Sequence, residues 1–261
     1  MLKYLMKYDL KKMLKLLIWF YALSIVLAGI TRIFNIWDDI LIIKIIGIVC
    51  SSLTYTAIAN TLVNTFVHIL MRFSTSFYKD HSYLTHTLPV TKDDLILSKF
   101  LCGLLVVFAS IFVCFLSLFI LFFSPEFMEL IKTYLDALVV GFNMSSGTFV
   151  FLMIVILFAQ ICVMMSCAFL AMVKGYSYNH KRGVKGFLWF LVYYLSCSII
   201  TLLTAIVVSA CTGNLDALFN NQMSNEALLI VIIVGLICYC VFAVAYYFLC
   251  RKEFKKGVNV D

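Results

Sequence analysis

The sequence predicts an all-α integral membrane protein. It reads as a single transmembrane domain of six membrane helices, preceded by an amphipathic interfacial helix, with both termini in the cytoplasm. Three observations predict this. First, 64% of the 261 residues are hydrophobic and 13% charged, with a mean hydropathy of +1.06, whereas a soluble domain runs at roughly 45–50% and about 25%. Second, six apolar runs each reach the ~20 residues that a helix needs to cross a bilayer. Third, the basic residues are gathered into four short segments between or beside those runs.

The composition excludes a soluble enzyme, because no core of this size consumes so much apolar surface and still leaves a wettable exterior. A membrane β-barrel would show ~10-residue segments alternating with period 2, and none is found. Helices remain, since each satisfies its backbone polar groups internally. The spans are read as 14–34, 40–71, 97–123, 148–173, 187–211 and 227–250. Lys15 and Arg32 end the first and must snorkel to the headgroups, and the second is long enough to tilt or project.

Orientation follows from lysine and arginine. With the N-terminus inside, all of the 20 basic residues except Arg32, Lys44 and Lys132 fall on cytoplasmic segments. The net charge of +7 is therefore a leaflet-facing charge, and no nucleic-acid partner is expected. Residues 1–13 are too basic, and the run after them too long, for a cleavable signal. Leu2, Leu5, Met6, Leu10 and Met13 recur at helical spacing with Lys3, Lys7, Lys11 and Lys15 on another side. This predicts an amphipathic helix lying at the inner interface before the chain turns into the membrane. The ten cysteines lie in or beside spans without a zinc-type or disulfide pattern, as small apolar residues do.

Outside the membrane little points to chemistry. Phe127, Leu130, Ile131, Tyr134, Leu135 and Leu138 predict a short helix resting on the outer surface, and 212–226 is a polar loop. No nucleophile elbow and no phosphate-binding loop occurs, so the chain is not an enzyme by itself, and any ATP it depends on binds elsewhere. His81, His86 and Asp80 lack a fourth ligand, so no metal is expected.

Inside the membrane the second span stands out. Ser52, Thr56, Asn60, Asn64 and His68 follow one another at i+4, with Ser51, Thr54, Thr61 and Thr65 expected to broaden that polar side. Polar groups in hydrocarbon face a bundle interior or a water-filled path. The stripe therefore reads as a translocation pathway, a dimer seam or simple interhelical hydrogen bonding. A proton relay at His68 is disfavoured by its place near the cytoplasmic end.

The cytoplasmic segment 72–96 alternates aromatic and aliphatic residues with charges, a pattern for an interface or a protein surface. Pro89 closes one segment, and Thr91 before Lys92, Asp93 and Asp94 reads as the N-cap of the next helix. The residues Tyr83-Leu84-Thr85-His86-Thr87-Leu88-Pro89-Val90-Thr91, followed by Leu97-Ser98-Lys99, resemble the GYLxxTLPVS…SK stretch of ABC-2-type permeases. The sequence departs from that pattern at Ser82, where glycine is expected, and at His81, where an acid is usual. These permeases are the membrane subunits of ABC exporters common in Gram-positive bacteria. The layout of the remaining chain resembles theirs too.

The resemblance implies a permease in the bacterial plasma membrane, paired with a second permease, identical or paralogous, and with two ABC ATPase subunits that hold ATP and Mg. It implies that 72–96 is the coupling loop, with Tyr83, Leu84, Leu88 and Pro89 seated on the ATPase. It also places the stripe of the second span on the pathway or the dimer seam. Amphipathic peptides, lipid-linked molecules and hydrophobic drugs all suit so apolar a path. The competing expectation is a permease-like protein driving signalling, immunity or envelope work. Against it stands the absence of a large extracytoplasmic segment. An intramembrane enzyme would need converging ionisable groups, for which His68 and Lys44 are weighed and found too few.

Overall fold

The computed structural model describes residues 2–36, 41–78, 90–142, 144–178, 180–211, 213 and 225–256. Seven helices are described: α1 (Leu2–Ile36), α2 (Leu41–Tyr78), α3 (Lys92–Phe122), α4 (Pro125–Phe142), α5 (Ser146–Tyr176), α6 (Arg182–Cys211) and α7 (Asn225–Lys255). No strand occurs among the described residues. All except α4 are long and apolar enough to cross a membrane, so the chain is a multi-pass membrane protein. The helices extend past the apolar runs at most ends, because a helix loses nothing by continuing where polar side chains reach the headgroups or water.

The chain divides into two compact units, Met1–Leu130 and Ile131–Asp261. In the first, α1 lies against both α2 and α3, which share a shorter contact with each other. The buried face of α1 is Asp9, Met13, Leu17, Tyr21, Ser24, Ala28 and Thr31, recurring at steps of three and four as helix geometry requires. Lys3, Lys7, Lys11, Lys12 and Lys15 all stay exposed.

Polar layers cross this unit. Thr31 and Thr54 share a hydrogen bond of 2.7 Å, and Ser24 and Thr61 one of 2.8 Å. Ser110 bonds both Tyr21 at 2.6 Å and Thr65 at 2.7 Å. Helices in lipid gain no hydrophobic drive from touching, so small residues and hydroxyl pairs supply the adhesion.

The expected turn between an interfacial helix and the first span does not occur. Residues 2–13 continue into the span as one helix of 35 residues. Met13 and Leu17 are both fully buried in the same face, and a bend between them would open that face. At 1.5 Å per residue the 38 residues of α2 reach about 57 Å, well beyond the ~30 Å hydrocarbon layer. The last two turns of α2 and the start of α3 are nevertheless deeply buried, through Phe73, Phe77, Leu95 and Ile96.

α4 forms where a short surface helix is expected, with Met128, Leu130, Ile131 and Tyr134 exposed along it. In the second unit α5 lies against both α6 and α7, and its buried run Met165–Ala171 supplies much of the core. α5 and α6 cross at two glycines. A Cβ placed on Gly175 would fall 2.5 Å from the Cα of Gly186 and 2.6 Å from its nitrogen. The turn between these helices passes through Lys181 at φ 52, a left-handed conformation that disfavours side chains. α7 is tied to α6 by Tyr246, whose hydroxyl donates to the Tyr193 carbonyl at 2.9 Å. All ten cysteines are free, and Cys102, Cys114, Cys167, Cys197 and Cys250 are buried.

Candidate functional site

The segment 79–89 joins α2 to α3, and its two stems are held by an ionic cluster that the sequence does not advertise. Asp9 of α1 is buried between Arg72 of α2 and Lys99 of α3, the three being 2%, 8% and 6% exposed. Arg72 Nη2 donates to Asp9 Oδ1 at 3.0 Å, and Lys99 Nζ donates to Asp9 Oδ2 at 2.6 Å. Lys99 Nζ also donates to Ser76 Oγ at 2.9 Å. The Arg72 guanidinium lies 5.8 Å from the Tyr8 ring centre, and Lys99 Nζ 5.9 Å from that of Phe77, both within cation–π reach.

Local structure explains how these groups converge. Thr91 caps α3: its backbone is extended and its Oγ1 accepts from the Asp94 backbone N–H at 3.2 Å. That is the capping arrangement expected from Thr91 and the acids after it. The cap sets the phase of α3, and two turns later Lys99 points at α1. On α2, Arg72 lies seven residues beyond Thr65, on the same buried face. Asp9 lies four residues before Met13 on the core face of α1.

Chemically the cluster is a lock. A carboxylate desolvated between two cations is stable only when both of its oxygens are matched, and here both are. The cluster still carries one formal positive charge in excess, and Arg72 Nε is buried without a hydrogen-bond partner among the described residues. One carboxylate thus ties together the adjoining ends of three helices.

The second unit has a lighter counterpart. Lys174 at the end of α5 pairs with Glu253 of α7 at 3.4 Å, and Glu253 also accepts from Lys256 at 2.8 Å. Lys174 Nζ lies 5.8 Å from the Trp189 ring centre, and Lys185 Nζ lies 4.0 Å from that of Tyr178.

The residues singled out in the sequence fare differently. Tyr83, Leu84, Leu88 and Pro89 lie outside the described residues, as do His81 and His86. Ser52, Thr56 and Asn60 are exposed on α2, and Asn64 and His68 are half-buried. Each i+4 step advances the stripe ~40° around the axis, which carries it from the open face to the edge of the buried one. Ser52 and Thr56 donate to backbone carbonyls of their own helix, at 2.8 Å each. His68 Nε2 is buried with no partner among the described residues.

Thr54, Thr61 and Thr65 do not broaden the stripe as expected. At ~100° per residue counted from Ser52, the positions of Thr54, Thr61 and Thr65 fall at about 180–220°, the face opposite the exposed start of the stripe, and there they are buried and bond α1 and α3. α2 thus has two polar faces, one closed within the unit and one open.

Sequence reasoning missed Asp9 and the ionic role of Arg72 and Lys99. Arg72 reads as a juxtamembrane cation, and Lys99 as another and as the end of the permease-like stretch. Asp9 had a signal: it is the single acid in residues 1–36, among five lysines. No group of three or more His, Cys, Asp or Glu side chains that could hold a metal occurs among the described residues. No family model, curated protein or solved structure matches this chain.

Proposed function

We propose that this chain is the permease subunit of an ATP-driven exporter of the ABC-2 type. It works beside a second permease and is driven by two separate ATPase subunits that bind ATP and Mg. The observation that carries the reading is the Asp9–Arg72–Lys99 lock on the two helices that flank the segment 79–89, next to the permease-like stretch of residues 83–91 and 97–99. A coupling loop is useful only if force applied to it reaches the spans. The lock gives its two stems, and α1 behind them, a common rigid base. ATP binding would then shift the three helices as one body, because the two states differ in how the loop is held. The open polar face of α2, from Ser52 to Asn60, would line the pathway or the seam between permeases.

The test is affinity purification of the tagged protein in mild detergent. The expected result is a stoichiometric ATP-binding-cassette ATPase. Tyr83→Ala with Leu88→Ala should leave membrane insertion unchanged and abolish both the co-purification and the transport. Retention of both by the double variant would overturn the coupling assignment.

A further inference from the structure

We infer that the end of α6 nearest the α5–α6 turn holds an anionic phospholipid, with its phosphate at Lys185 and the upper part of an acyl chain below. A cavity of about 230 Å³ is lined there by Tyr178, Lys185, Leu188, Trp189 and Val192. The last four stand at i, i+3, i+4 and i+7, on one face of α6, so the cavity runs along the helix for about 10 Å. Its composition changes along that length, from a cation and a phenol at the turn to two aliphatic side chains and an indole further in. That gradient matches an amphiphile with an anionic head, and a free anion would leave the apolar part unused.

Two further observations select the occupant. Lys185 makes no ion pair with a described residue, whereas nearby Lys174 is matched by Glu253. The ammonium rests against the Tyr178 ring at 4.0 Å, which holds its position while leaving its N–H donors for a phosphate. Leu188 and Val192, which line the cavity, are themselves exposed, on a helix suited to span a membrane, so what reaches the cavity comes from the lipid phase. Exposed Lys181 in the turn adds positive charge close by. Basic sites at the inner ends of membrane helices collect anionic headgroups in this way. The inference rests on α6 spanning the bilayer and is independent of any ATPase.

Trp189 reports on the site. Of the three tryptophans, Trp19→Phe and Trp37→Phe leave it alone in the full chain, reconstituted in vesicles containing brominated phosphatidylglycerol or brominated phosphatidylcholine at equal mole fraction. The expected result is that the anionic lipid occupies the site about fivefold more, the factor corresponding to ~1 kcal/mol for one lysine. Lys185→Gln should equalise the two lipids and Lys185→Arg should keep the preference, which separates loss of charge from loss of fold. Equal quenching by both lipids in the parent protein would overturn the inference. So would relief of the quenching by millimolar inorganic phosphate, which would make the site a simple anion site.

Discussion

Asp9 and Lys99 are 90 positions apart in the chain, yet their side chains meet at 2.6 Å in the interior of the first unit. With Arg72 they join three helices through one carboxylate. Losing the acid is therefore a different event from losing a base. Asp9→Asn leaves two buried cations facing each other, whereas Lys99→Met leaves the neutral pair Asp9–Arg72 and an apolar chain of similar length. Asp9→Asn should cost about 3–5 kcal/mol, the range for an orphaned buried charge. Lys99→Met should cost clearly less. Thermal unfolding in detergent checks the order, and an equal loss for the two variants would contradict the charge accounting.

The α5–α6 crossing predicts an asymmetry between two glycines. At Gly175 an added methyl would strike backbone atoms of Gly186, which cannot rotate away. At Gly186 the nearest atom to an added methyl is the Ala171 carbonyl oxygen at 3.7 Å, an ordinary contact. Gly175→Ala should destabilise by at least about 1–3 kcal/mol, the usual cost of overfilling a tight site. Gly186→Ala should be tolerated. Melting temperatures of the two variants decide it.

The two polar faces of α2 should answer to different assays. Ser110→Ala leaves the Tyr21 hydroxyl without its partner and should cost about 1 kcal/mol, within the range measured for hydrogen bonds between membrane helices. Adding Tyr21→Phe should recover part of that loss, because the orphaned hydroxyl is gone. Asn60→Ala, on the open face, should leave the melting temperature unchanged. If the proposed function holds, Asn60→Ala should reduce transport, and a photo-crosslinking residue at position 60 should capture a second permease. Capture of lipid alone would remove that face from the seam.

The cap of α3 offers a local test near the coupling segment. Thr91→Ala removes the acceptor for the Asp94 N–H and should cost ~1 kcal/mol of helix stability. Amide exchange should quicken at residues 92–95, next to the segment 79–89, and remain unchanged in the second half of α3. Uniformly faster exchange along α3 would show that the cap's role is not local.

What the sequence determined by itself is what depends on composition and period. Six helices able to cross a membrane, the helix α4 and the cap at Thr91 all follow from apolar runs, helical spacing and one side chain beside its own backbone. None of these needs a second helix to be present. The polar stripe from Ser52 to His68 was legible as a stripe for the same reason. Its sorting from Thr54, Thr61 and Thr65 into an open and a closed face required the neighbours, since a single helix does not say which side is covered.

Tertiary structure alone decided the rest. Asp9, Arg72 and Lys99 each look like interfacial charges in one dimension, and only helix packing brings them within bonding distance and removes water from between them. The continuity of α1 has the same origin. A basic stretch by itself favours lying flat at the interface, but here Asp9, Met13 and Leu17 are all buried against α2 and α3 on one continuous helix. Contacts between residues far apart in the chain set this path, and they cannot be weighed until the partner helices are in place.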